Sequence, residues 1–295
     1  MRFQVLAIGE ILWDLLPGGR QLGGAPANFI QHAQALGADA GLISRVGDDE
    51  LGREALARLC ARGVATDLIQ VDSQAPTGTV SVEIGSDHQP RFTIHEAVAW
   101  DRLVVEDAAL AAVRNADAVC FGSLAQRTPT GAAAERRLVD AAQPGALRIF
   151  DINLRPPFVQ PEVVRASLER ANVLKLNDQE LPALAAMLGL TGPAEKQVDE
   201  LIRLYALRLV ALTRGGQGSL LVGAASRSER PAVAVEVADT VGAGDAFTAA
   251  LVLGLLHGWP VDEINRCAAE VAAFVCTQPG GAPELPVALR RRYER

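Results

Sequence analysis

Short apolar runs alternate with longer stretches of helical periodicity along almost the whole chain. A run of four to eight apolar residues suits a strand covered on both faces, and a helix that follows it completes a β-α unit. Repeated units of this kind predict an α/β fold around a mainly parallel central sheet. The expected sheet strands are Phe3–Gly9, Ala40–Val46, Ala118–Gly122, Leu147–Ile152, Val173–Leu176, Leu207–Thr213 and Ser219–Val222. The expected helices are Asn28–Leu36, Asp49–Arg62, Pro129–Ala142, Gln179–Leu188, Glu195–Ala206, Ala243–His257 and Val261–Thr277. Pro129 and Pro161 stand where a first helical turn tolerates proline.

One segment breaks the rhythm. Thr77–Ile84 alternates with period two, and Arg91–Ile94 follows after a polar turn. That pattern predicts a small antiparallel sheet with one wet face, joined by residues near Asp14–Leu22. It reads as a β lid over a cleft; an edge hairpin covering the core is the plainer alternative. The expectation is one domain over residues 1–295, with the lid formed by about 11–24 and 77–100.

Composition removes several classes of function. The net charge is −7 over 295 residues, and no cluster of Lys and Arg is long enough for a nucleic-acid-binding face. Cys60, Cys120, Cys267 and Cys276 lack CxxC spacing and sit in apolar stretches, which predicts reduced core residues in a reducing compartment. The N-terminus lacks a signal peptide's apolar stretch and cleavage site. The most apolar stretch, Ala246–Trp259, is shorter than the roughly 20 residues of a membrane span. A soluble, cytoplasmic protein is expected. His32, His88, His95 and His257 share no metal-ligand spacing and read as structural. The only lysines, Lys175 and Lys196, lie outside any GxxxxGK context, so there is no Walker A loop. No GxGxxG follows the first strand, which argues against a dinucleotide-dependent dehydrogenase.

The string Asp239-Thr240-Val241-Gly242-Ala243-Gly244-Asp245 carries the chemistry. It follows an expected strand, Val233–Val237, and opens an apolar helix. The amides of Gly242, Ala243 and Gly244 then lie at a helix N-terminus, where partial positive charge favours phosphate oxygens. Asp245 sits one step further, placed to accept the proton of an alcohol that attacks the γ-phosphorus of ATP, a contribution of about 10²–10⁴ in rate. A lone GxGD string is more often a helix cap; the full string between strand and helix favours the catalytic reading.

This string resembles the signature of the ribokinase-like (PfkB) carbohydrate kinases, and further motifs agree in order. Gly23-Gly24-Ala25-Pro26-Ala27-Asn28 resembles the family's double-glycine motif, and Gly9-Glu10-Ile11-Leu12-Trp13-Asp14 the end of its first strand. Asp151–Pro156 resembles a D-x-N-x-R stretch, Asn177–Glu180 an N-x-x-E motif, and Thr213–Gly218 a T-x-G-x-x-G nucleotide loop. The resemblance implies a three-layer sandwich and ATP-dependent phosphorylation of a sugar hydroxyl. It implies that Asp14, Gly23, Gly24 and Asn28 bind the sugar, that Asn177, Thr213, Gly215 and Gly218 bind nucleotide, and that Arg155 complements the phosphoryl oxygens. It also implies magnesium, held by Glu180 through waters, and a possible potassium site from Asp239, the Val241 carbonyl and Gly280. With so few lysines, backbone amides, Arg155 and magnesium are expected to supply the electrostatics.

The opening motif and the double-glycine motif look most like bacterial fructokinases, so fructose is the leading acceptor. A 2-keto-3-deoxygluconate kinase stays close because Arg127 or Arg155 can meet a carboxylate. Ribose is disfavoured: the double-glycine motif lacks a basic residue, and Leu124-Ala125-Gln126-Arg127 lacks a carboxylate. A nucleoside acceptor is less expected still. Trp100 reads as packing beneath the lid. The alternative from another class is a sensing protein that kept the fold without catalysis, yet both Asp245 and its glycines are present. The sequence does not set the oligomeric state; lid sheets sometimes pair between subunits, which leaves a homodimer through the lid open.

Overall fold

The computed structural model describes residues 2–84 and 90–293. In chain order the first elements are β1 (Gln4–Ile8), β2 (Leu12–Leu16), β3 (Gly19–Gly23), α1 (Ala25–Ala35), β4 (Asp39–Gly47), α2 (Glu50–Ala61), β5 (Ile69–Asp72), β6 (Gly78–Ile84) and β7 (Pro90–Ile94). Next come α3 (Asp107–Asn115), β8 (Ala118–Phe121), α4 (Pro129–Asp140), β9 (Leu147–Asp151), α5 (Pro161–Leu168), β10 (Val173–Asn177) and α6 (Glu180–Leu188). The chain continues through α7 (Ala194–Tyr205), β11 (Leu209–Thr213), β12 (Ser219–Gly223), β13 (Ser226–Arg230), α8 (Ala243–Leu256), α9 (Val261–Cys276) and α10 (Val287–Arg290).

The large sheet runs β13-β12-β11-β10-β9-β8-β1-β4-β5. Every pairing from β11 to β5 is parallel, while β12 and β13 close one edge as an antiparallel hairpin. Successive residues of β1 enter opposite cores: Val5 and Ala7 pack with α1, α8 and α9, whereas Leu6 and Ile8 pack with α3, α4 and α5. Burial on both faces explains why these strands read as unbroken apolar runs. α8 is buried almost all round from Asp245 to Gly254, as its continuous apolar sequence requires.

The lid is a second sheet, ordered β3-β2-β6-β7, antiparallel except where β2 meets β6. Residues 85–89, where the sequence predicted a polar turn and which include His88, lie outside the described residues. Trp13 of β2 is fully buried, donates its Nε1 proton to the Leu51 carbonyl at 3.0 Å, and lies under Arg58. This anchors the lid to α2. At its other end Trp100 is buried beneath the Arg127 guanidinium, 3.9 Å from the ring centre. Arg127 also pairs with Asp101 through Nε and Nη2, both bonds 2.7 Å.

Three expectations are corrected. Val233–Val237 is not a strand: its apolar residues are exposed, because β13 already occupies the edge where it would pair. α1 starts at Ala25 rather than Asn28, with Gly24 as its cap and Pro26 in the first turn. Cys60 is exposed, since Leu59 takes the inward position on α2.

Candidate active site

Parallel strands of an open α/β sheet bind ligands at their carboxyl edge. Here that edge carries Glu10 after β1, Asp151 at the end of β9, and the directly paired Asn177 and Thr213 at the ends of β10 and β11. α8 begins over the same edge.

Gly242 caps α8 with φ 76°. A Cβ there would fall 1.9 Å from the Gly281 carbonyl oxygen, so only glycine fits this turn against the loop behind it. The Ala243 amide donates to the Thr240 carbonyl at 3.3 Å and closes the turn. Ala243 therefore shapes the anion site, and the amides left for a ligand are those of Gly242, Gly244 and Asp245. Asp239 ties the turn down: its two oxygens accept from the amides of Val241 and Gly280, each at 3.0 Å. The three residues of the expected monovalent-cation site are thus gathered in one place.

Asp245 stands in the first turn of α8 and is 9% exposed. Its Oδ2 accepts a 2.9 Å hydrogen bond from the Asn28 amide. Burial pushes its carboxyl up to about 6; nearby Asp151 adds to the rise, while Lys175, Asn28 and Arg155 oppose it. A carboxylate poised there is a better proton acceptor at neutral pH than an ordinary aspartate. Asn28 does more than the sequence assigned to it, because it holds the Asp245 carboxylate in place; its own Oδ1 is buried with no protein partner.

On the lid, Asp14 sits beside Gly23, where a Cβ would come within 2.6 Å of its Oδ2. Burial raises its carboxyl, Arg155 lowers it, and Asp239 raises it. Arg155 is exposed, and its charge reaches Glu10, Asp14 and Asp245 alike. Arg127 is buried and pairs with Asp101 through Nε and Nη2, leaving its Nη1 without a protein partner, whereas Arg155 is exposed. Asn153, in the same loop, holds φ 40°, a left-handed conformation that asparagine tolerates.

The residues expected to bind nucleotide lie at the ends of β10 and β11 and in the turn before β12. Glu180 caps its neighbours, its Oε1 accepting from the Leu154 amide at 2.9 Å and its Oε2 from the Asn177 amide at 2.8 Å. A carboxylate has about four acceptor sites, which leaves room for a metal-bound water. The Asn177 Oδ1 accepts from the amides of Gln179 and Glu180, leaving its amide protons free. Gly215 faces open space, whereas Gly218 is required by the chain itself: a Cβ there would fall 1.9 Å from the Arg230 carbonyl oxygen.

Sequence reasoning missed Lys175. It lies inside β10, 6% exposed, with its ammonium 3.1 Å from Asp151 Oδ1. The signal was available: a lysine inside a buried strand demands a partner. Arg155, magnesium and backbone amides are thus not the only electrostatic groups here. Glu10 was missed too; it lines the same small pocket as Asp245, a space of about 20 Å³, and burial raises its carboxyl to about 7.

Residues 18–288 match the family model described as pfkB family carbohydrate kinase. The chain belongs to the pfkB family of carbohydrate kinases. This pfkB kinase is 33% identical to a fructokinase of Klebsiella pneumoniae, with 97% of each chain covered. A sugar kinase of Pyrococcus horikoshii solved in complex with ATP is 27% identical, covers 98% of this chain and 99% of its own, and superposes with a TM-score of 0.84. A 2-dehydro-3-deoxygluconokinase of Thermotoga maritima superposes with a TM-score of 0.86 at 21% identity, covering 99% and 98% of the two chains; at that identity it shows a shared fold. The ribokinase-like architecture expected from the sequence is present, with its mainly parallel large sheet and small second sheet. Among the described residues no helix is long and apolar enough to cross a membrane.

Proposed function

We infer that this sugar kinase transfers the γ-phosphoryl group of ATP to a hydroxyl of a neutral sugar, with fructose the first candidate, and that Asp245 is the base. The observation that carries this reading is the placement of Asp245: a buried carboxyl raised to about 6, held by Asn28, at the open end of α8 beside the Gly242 and Gly244 amides. The sugar lies between Asp14 on the lid and Asn28, with the reacting hydroxyl toward Asp245. As that hydroxyl attacks, Asp245 takes its proton, and the turn amides and Arg155 face the charge on the moving phosphoryl group. The lid keeps water from competing for the phosphoryl group.

ATP suits the cleft at Asn177, Thr213 and Gly215, and the sugar kinase of P. horikoshii was solved with it. Magnesium fits the oxygen donors here, because it takes oxygen ligands and keeps several waters; when bound it neutralises the ATP phosphates. Glu180 is the residue to hold it through water. Potassium at Asp239, Val241 and Gly280 completes the reading. A cytoplasmic location, where ATP is at hand, belongs to the same reading.

Fructose is favoured by the K. pneumoniae fructokinase and by the burial of Arg127 against Asp101. A keto-deoxy sugar acid is the second candidate, because Arg155 remains exposed. Assays of ATP consumption over neutral sugars, keto-sugar acids and nucleosides decide between them. Asp245→Asn is expected to lower kcat by at least about 10² while ATP binding persists. Near-normal turnover in that variant overturns the base assignment.

A further inference from the structure

We propose that Lys175 is a positioning residue for phosphoryl transfer: fixed by Asp151, which Thr248 holds in turn, it supplies a permanent positive charge behind the Gly242–Gly244 turn and keeps Asp245 ionised. The proposal rests on the reading of Asp245 as the base and adds a second group that controls it.

Geometry comes first. The Lys175 ammonium, near the carboxyl end of β10, is held by Asp151 Oδ1 at 3.1 Å. The other oxygen of Asp151 accepts from the Thr248 hydroxyl at 2.8 Å, and that hydroxyl also lies 3.0 Å from the Gly244 carbonyl. Lysine, aspartate and threonine thus form a line from the sheet into the first turn of α8. Lys175 also reaches the turn directly: a Cβ on Gly244 would stand 3.0 Å from its Nζ. The missing side chain at 244 therefore has two uses, one toward the ligand and one toward the cation behind it.

Charge explains why such a cation is needed. Asp245 is faced by Asp151 from β9, Lys175 from β10, Arg155 from the loop after β9, the Asn28 amide from α1, and Glu10 from the segment after β1. Asp151 and Asp245 are both buried in this group, and Lys175 is its one buried cation. Burial alone would lower the Lys175 ammonium, but Asp151, Glu180 and Asp245 outweigh it and leave it raised, so it stays charged at every working pH. Without it, Asp245 would share a dry site with Asp151, and like charges there drive one carboxyl to keep its proton. A protonated Asp245 cannot accept a proton from the sugar. Arg155 is no substitute, because it is exposed and its field is screened.

The two neighbours of Asp245 make opposite predictions. Lys175→Met removes a cation, so the acid limb of the pH–kcat/KM profile moves up by about a unit or more. Asp151→Asn removes an anion, so the limb moves down. The double variant Lys175→Met with Asp151→Asn returns it toward its original position, and it also avoids the stranded buried charge that can unfold the single lysine variant. Lys175→Arg keeps the charge and is expected to keep the limb within a few tenths of a unit. A direct titration of the Asp245 side-chain carboxyl by ¹³C NMR in the full-length chain follows the same shifts without using activity. If Asp245→Asn retains turnover, the base reading falls while this titration still reports on Lys175. Limbs and titrations that stay in place while only Tm drops assign Lys175 a packing role and overturn the proposal.

Discussion

The carboxamide of Asn28 on α1 donates a 2.9 Å hydrogen bond to the carboxylate of Asp245 on α8, joining groups 217 residues apart in sequence. The bond favours the ionised form of Asp245 and leaves its Oδ1 free of Asn28. It also links α1 to the first turn of α8, so the wall of the small pocket and the Asp245 carboxyl are held together.

The pH dependence of turnover follows. Asp245 must be ionised to accept a proton, and its carboxyl is raised to about 6. The acid limb of kcat/KM is therefore expected near pH 6, with activity rising through it. A steady-state profile between pH 4.5 and 8.5 checks this; a limb in the ordinary aspartate range below pH 4.5 contradicts it.

Stability carries the opposite sign. Because the folded carboxyl of Asp245 is raised above its unfolded value, its contribution to stability is fully present below about pH 4 and is lost as pH rises through about 6. Asp245→Asn is therefore expected to stabilise the fold at pH 8 by about 1–3 kcal/mol, with the gain disappearing near pH 4. Thermal melts of both proteins at the two pH values test it. Equal gains at both pH values would rule out the ionisation penalty as the source.

The lid offers a kinetic test. Gly23 leaves room for the Asp14 carboxylate, and a Cβ at 23 would press to 2.6 Å from it. Gly23→Ala is expected to raise the KM for sugar about tenfold, about 1.4 kcal/mol, with kcat and the KM for ATP nearly unchanged. A fall in kcat alone would instead move Asp14 from sugar binding to the chemical step.

Arg127 is expected to matter to folding. Its side chain is 2% exposed, paired with Asp101, and placed over both Trp100 and Phe158. Arg127→Met strands the Asp101 carboxylate and costs about 3–5 kcal/mol. Urea unfolding measures the loss, and the ratio of neutral to acidic sugar turnover should stay constant. A changed ratio would show that Arg127 meets substrate.

A salt test bears on the loop around Asp239. If potassium binds there, exchanging it for Tris at constant ionic strength lowers kcat while leaving Tm nearly unchanged. An equal rate under saturating sugar and ATP argues against the site.

The alternation of apolar runs and helical periods located the central strands to within a residue or two, because burial on both faces leaves little compositional choice. The edges were another matter. β13, Ser-Arg-Ser-Glu-Arg, has no apolar signature, since an exposed edge is protected by charge. Val233–Val237 alternates like a strand but lies outside both sheets with its valines exposed. At the site, the glycine turn and Asp245 were legible because their local sequence dictates local geometry. Lys175 was visible as a residue but not as a participant. Its proposed role depends on Asp151, 24 positions away and brought beside it by the sheet, and on Thr248 of α8, 73 positions away, which holds the other oxygen of Asp151.

The segment after α9 packs so closely behind Gly242 that no Cβ fits between them, and it backs the turn that opens α8. His32 reinforces it from α1: burial lowers this imidazole to about 4, so it is neutral and donates to the same carbonyl at 3.0 Å. A tag, label or insertion engineered into residues 278–283 would therefore damage turnover, although that segment contains no acid or base.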